Sequence, residues 1–176
     1  MKFADIPQLT RDGHYRVNQS WQYLEDTLQR YQEAHGINLE PDFQRSHVWT
    51  KEQQTKYVEF SLRGGVGSSD IRFNCVGWMK DFRGPFVIVD GKQRLEAVRR
   101  FLRNDLPIFG GHLLSDFEDH MWILRPDFIF VINDLSTRAD VLQWYLDINA
   151  GGVVHTQDEL ANVRKLLDTE LAGGVN

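Results

Sequence analysis

The sequence predicts an α+β domain in which a small sheet is surrounded by helices. Short β-branched runs bounded by turn residues alternate with amphipathic segments at helical spacing. The 176 residues are 41% hydrophobic and 12% aromatic, enough to fill one core and offset chain entropy without staples.

Residues 20–35 place Trp21, Leu24, Leu28 and Tyr31 on one helical face, with Ser20 as the cap and Gly36 as the terminator. Pro41-Asp42-Phe43-Gln44-Arg45 then reads as an extended or turn segment. Thr50 and Gln53 have capping-box spacing, so a second helix is expected to run to about Arg63. Gly64, Gly65 and Gly67 mark a loop, and a strand follows at 71–76. The run 85–89 is a buried strand bounded by Gly84 and the Asp90-Gly91 pair, and Leu95, Val98, Phe101 and Leu102 define the helix beyond it. A strand at 128–132, a helix at 140–148, and a last helix to about Leu167 complete the pattern. Thr156 and Glu159 again have capping-box spacing before that last helix. With no repeat, low-complexity tract or linker in view, the division is an N-terminal extension 1–19, one domain 20–170 and a tail 171–176.

Charge and composition bound the function. A net charge of -5 argues against a surface that clings to nucleic acid throughout, because non-specific affinity comes mainly from neutralised phosphates. The densest basic group is Lys92, Arg94, Arg99, Arg100 and Arg103, all on one helix and facing several directions. The lone Cys75 sits in an apolar run, where a buried thiol in a reducing compartment is expected. No apolar run approaches the roughly 18 residues of a span, and the N-terminus has no signal-peptide core, so the expectation is a cytoplasmic protein with no membrane partner. The six histidines lack metal-ligand spacing, so no metal is expected, and His112, Asp116, Asp119 and His120 read as a solvated group. Most tryptophans read as core anchors. Trp49, beside Gln44 and Arg45, is the one best placed to stack on a ligand.

The chemistry concentrates at 90–94, where a strand turns tightly into a helix. A helix N-terminus offers unpaired N–H groups and the positive end of the dipole, a natural seat for phosphate. Gly91 lets backbone approach a ligand, Arg94 can grip phosphate with two parallel bonds, Lys92 adds a point charge, and Gln93 can bond a polar group. Asp90 has two readings, a magnesium ligand or a group that orients water or a ligand hydroxyl. The opposing reading is that Asp90 only caps the helix while the basic residues are solvated. Asn149-Ala150-Gly151-Gly152 likewise reads either as a helix C-cap or as a ligand-accommodating loop.

Three separated motifs occur in order: Phe43-Gln44-Arg45 with Val48-Trp49-Thr50, then Val89-Asp90-Gly91-Lys92-Gln93-Arg94-Leu95, then Ile148-Asn149-Ala150-Gly151-Gly152. Together they resemble the ParB/sulfiredoxin-like domain at the N-terminus of GmrSD-type type IV restriction enzymes. The resemblance implies a ParB-like fold whose Asp-Gly-x-Gln-Arg signature binds, and in some members hydrolyses, nucleoside triphosphates in restriction and phage defence. It implies Asp90 as the catalytic residue and Gln44, Arg45, Gly91, Lys92, Gln93, Arg94 and Asn149 as ligand contacts. Magnesium is the cofactor if hydrolysis occurs. Lys92 departs from the family's usual glutamine. The full enzymes continue into a His-rich nuclease domain, which this sequence does not contain, so the protein alone is expected to leave DNA intact. The alternatives are a non-catalytic module that binds DNA or a protein partner and, third, a small stand-alone nuclease.

Overall fold

The computed structural model describes residues 2–6, 9–44, 48–65, 67–78, 80–149 and 157–173. Arg45, the Ala150-Gly151-Gly152 stretch and Thr156 of the second capping box lie outside them. The chain divides into two compact units, Gly13–Asp134 and Met1–Asp12 with Leu135–Asn176.

The first unit is an α+β domain built on one four-stranded mixed sheet. Its strands are β1 (Tyr15–Ser20), β2 (Asp70–Cys75), β3 (Phe86–Asp90) and β4 (Asp127–Asn133), in the order β1-β4-β2-β3. β1 pairs antiparallel with β4, β4 parallel with β2, and β2 antiparallel with β3. Three helices belong to this unit, α1 (Leu24–His35), α2 (Lys51–Leu62) and α3 (Lys92–Leu102). The second unit contains α4 (Arg138–Asn149) and α5 (Gln157–Gly173), which pack together.

Strand periodicity explains where the core lies. Ile71, Phe73 and Cys75, Phe86 and Ile88, and Phe128, Phe130 and Ile132 each alternate along their strands, so all eight reach one face of the sheet. They are buried in one cluster with Leu24, Leu28, Val58, Leu62, Leu95, Val98 and Phe101 of α1 to α3. Burying one such side chain stabilises the fold by about 1.5–3 kcal/mol. Edge-on ring contacts from Phe73 to Phe86 and to Phe130, at 5.2 and 5.0 Å, add directional packing. Cys75 is fully buried among them, and burial pushes its thiol up, away from the reactive thiolate.

The predicted helix signals are realised in part. Gly36 ends α1 in the left-handed conformation with φ 60°. The Thr50 hydroxyl accepts from the Gln53 N–H at 3.3 Å, while Gln53 Oε1 accepts from the Thr50 N–H at 2.8 Å, completing the capping box of α2. Ser20 makes no side-chain cap, because it ends β1 and a short 3-10 turn, Trp21–Tyr23, precedes α1. β1, apart from its last residue Ser20, falls within the stretch 1–19 expected as an extension. Its Tyr15 and Val17 pack on the core while Arg16 and Asn18 point outward, the alternation of an edge strand.

Candidate functional site

The 90–94 turn is where β3 passes into α3, and a β-bulge sets its geometry. Arg72 pairs with Asp90 but the next residue, Phe73, pairs with Ile88, so Val89 is an extra residue in β3. Asp90 therefore stands directly opposite Arg72, within reach of an ion pair at 3.3 Å. Gly91 follows with φ 95° and is the N-cap residue of α3. A Cβ on Gly91 would lie 2.6 Å from the Ile71 Cδ1 and 3.2 Å from the Asp70 carbonyl oxygen, so both the dihedral and the space require glycine.

An ionic network surrounds this turn. Arg94 Nη2 donates to Asp90 Oδ2 and to the Asp70 backbone carbonyl, both at 2.9 Å. Arg72 donates to Asp90 Oδ2 at 3.3 Å and to Asp70 Oδ2 at 3.4 Å. Arg16, on β1, reaches Asp70 at 3.2 Å. Among the described residues, three guanidiniums thus share two carboxylates. Asp70, Asp90, Arg72 and Arg94 are each about one-fifth exposed, so the group is neither sealed in the core nor freely solvated. Arg94 Nε is buried and has no hydrogen-bond partner.

Several expectations change here. Asp90 does not cap α3: Gly91 holds that position and has no side chain with which to cap. Nor do the basic residues simply stand free in solvent. Lys92 is buried and paired with Glu40, Arg99 and Arg103 both grip Glu25, and Arg100 donates to Gln54 Oε1 at 2.7 Å. Lys92 and Arg94 were expected to face one phosphate together. Two residues apart on a helix they stand about 200° apart, and accordingly Lys92 reaches Glu40 while Arg94 reaches Asp70 and Asp90.

The glutamines of the signature serve as staples. Gln93 Oε1 accepts from the Val48 and Trp49 backbone N–H groups at 3.0 and 3.1 Å, and Gln44 Nε2 donates to the Ile88 carbonyl at 3.1 Å. They fix Gln44 against β3 and Val48 and Trp49 against α3. Trp49 is half-buried and packs on Tyr57 of α2 with ring centroids 5.5 Å apart. Asn149 belongs to the second unit, where its side-chain amide donates to the Tyr145 carbonyl one turn back. Arg45 lies outside the described residues.

Arg16, Asp70 and Arg72 join the site without having been expected there. A signal for two of them is present in Asp70-Ile71-Arg72-Phe73, where charged residues alternate with fully buried ones. Side chains two apart on a strand share a face, so Asp70 and Arg72 are neighbours by periodicity alone. Comparison with protein-family models, curated proteins and solved structures returns no match.

Proposed function

We propose that this domain binds a phosphate-bearing ligand, a nucleotide, at the 90–94 turn. The observation that carries the reading is the first turn of α3, with glycine as its N-cap, beside a network in which three arginines meet two aspartates. The helix end contributes N–H donors and the positive pole of its dipole, Gly91 keeps Cβ atoms away, and Arg72 and Arg94 are already oriented by the two carboxylates. Preorganised forks lose less entropy when an anion arrives. The ParB-like motif residues support the same ligand class.

The donor set does not fit a magnesium ion held by the protein. Both guanidiniums occupy Asp90 Oδ2, and among the described residues no three His, Cys, Asp or Glu side chains converge as a metal site. The proposal is therefore binding, with any magnesium carried on the nucleotide's own phosphates. A nucleic-acid reading has less support, since the helix's basic residues are spent on internal partners.

Thermal unfolding with ATP, GTP, CTP and UTP, each with and without magnesium, tests this. At least one is expected to stabilise the protein, by about 2.7 kcal/mol at roughly 100 times its Kd. No shift at millimolar concentration for any of them contradicts the proposal.

A further inference from the structure

We infer that a groove at the C-terminal end of α3, formed largely by the chain between α3 and β4, docks a basic amphipathic helix of a partner protein. Four large apolar side chains of this connection stand out in solvent: Phe109 and Phe117 at 41%, Ile123 at 56% and Leu124 at 58%. Scattered singly they would mean little, but all four line one cavity of about 130 Å³. An apolar cavity of ~150 Å³ admits a benzene ring, so this one suits a single large side chain as an anchor.

The cavity does not end there. Leu114, Phe117, Asp119, His120 and Met121 also line an adjoining cavity of about 470 Å³, whose other wall carries Glu25 and Asp26 of α1. Glu25 is neutralised by Arg99 and Arg103, whereas Asp26 and Asp119 are exposed and make no ion pair with a described residue. The groove is thus apolar where Phe109, Ile123 and Leu124 line it and acidic from Asp119, which borders both cavities, to Asp26 on α1, which selects a partner carrying an apolar anchor followed by lysine or arginine. Lysine and arginine stems also pack well along apolar surface.

Secondary structure narrows the partner further. The groove's walls are the 3-10 turns Leu114–Asp116 and Met121–Ile123, loop, and residues of α1 to α3, so they present no free strand edge for an extended peptide to extend. A segment lying over apolar side chains must satisfy its own backbone, and a helix does so. The backbone of the groove is also strained in place. Phe109 has φ 46°, rare for a residue with a Cβ. The Phe109 N–H is held at 2.6 Å by Glu59 Oε1, which fixes its half-exposed ring at the groove's edge.

A labelled peptide of leucine and lysine, with leucines at helical spacing, is the probe, and fluorescence anisotropy the readout. A peptide with glutamate replacing lysine and one with scrambled leucines are the controls. The wild type is expected to bind the lysine peptide, more weakly as salt rises. Ile123→Ser with Leu124→Ser should weaken it at least tenfold. Asp26→Lys with Asp119→Lys should weaken it likewise and turn preference toward the glutamate peptide, while circular dichroism shows each variant folded. Equal binding of all three peptides, no binding of the lysine peptide, or no response to charge reversal overturns the inference. So does concentration-dependent dimerisation of the wild type that Ile123→Ser with Leu124→Ser abolishes, because the occupant is then a second copy of this chain.

Discussion

Arg94 donates through one nitrogen to the Asp90 carboxylate and the Asp70 carbonyl, and so ties the start of α3 to both β3 and β2. Truncating it leaves a partly buried carboxylate and a carbonyl short of a donor, a loss of about 1–3 kcal/mol. Arg94→Ala is therefore expected to lower the denaturant midpoint clearly, and Arg94→Lys to restore little, since an ammonium is a compact point charge on a flexible stem, without the fork's rigid geometry. Arg16, whose side chain is 47% exposed, makes the weaker surface contact, and Arg16→Ala should change stability by no more than about 0.5 kcal/mol. Equal effects for the two would show that the network is not anchored at Arg94. The motif spelled Arg94 as a contact for a ligand, and its structural duty was not legible because both of its partners depend on the pairing of β2 with β3.

At the scale of elements, the β3–α3 junction depends on Gly91. Gly91→Ala adds about 1–2 kcal/mol for a left-handed Cβ and an overlap with Ile71, so it should destabilise the fold and disturb ligand binding together. An unchanged melting temperature would contradict the conformation assigned to this turn. The packing of α1 against α3 gives a pH-dependent handle. Burial pushes the Glu25 carboxyl up, but hydrogen bonds from Arg99 and Arg103 outweigh it and hold the group below the usual carboxylate range. A depressed carboxylate stabilises the fold above its unfolded value, near ~4.3, and that stability is lost as pH falls through the lower folded value. Glu25→Gln should flatten the acid limb of the stability profile, and an unaltered slope would show that the clamp contributes nothing.

Elements also show what the sequence could and could not reveal. Runs with a strong period were readable: β3, β4 and the α2 helix begun by the Thr50 capping box lie within two residues of their expected bounds, and α3 carries the four apolar residues that define it. β1 was harder, since an edge strand of Tyr15, Val17 and polar neighbours buries little and resembles a solvated lead-in. The bulge at Val89 has no sequence signature at all. It decides that Arg72 faces Asp90, which is why that ion pair was invisible before the strands were paired.

For the whole molecule, the account is one of cations spent internally. The net charge is -5, and the basic side chains of α3 each hold a partner, so affinity for DNA should be weak and fade with modest salt. Incubated alone with plasmid and magnesium or manganese, the protein should leave the DNA intact; nicking that disappears in Asp90→Asn would contradict this. The central claim is that a nucleotide's phosphates sit over the first turn of α3. Backbone amide shifts followed by NMR during a titration with ATP test it most directly. The account predicts that Gly91, Lys92, Gln93 and Arg94 shift first and furthest, together with Arg72 across the sheet, and that inorganic phosphate moves the same amides at higher concentration. Shifts confined to other parts of the chain, or none at millimolar ATP, would contradict it.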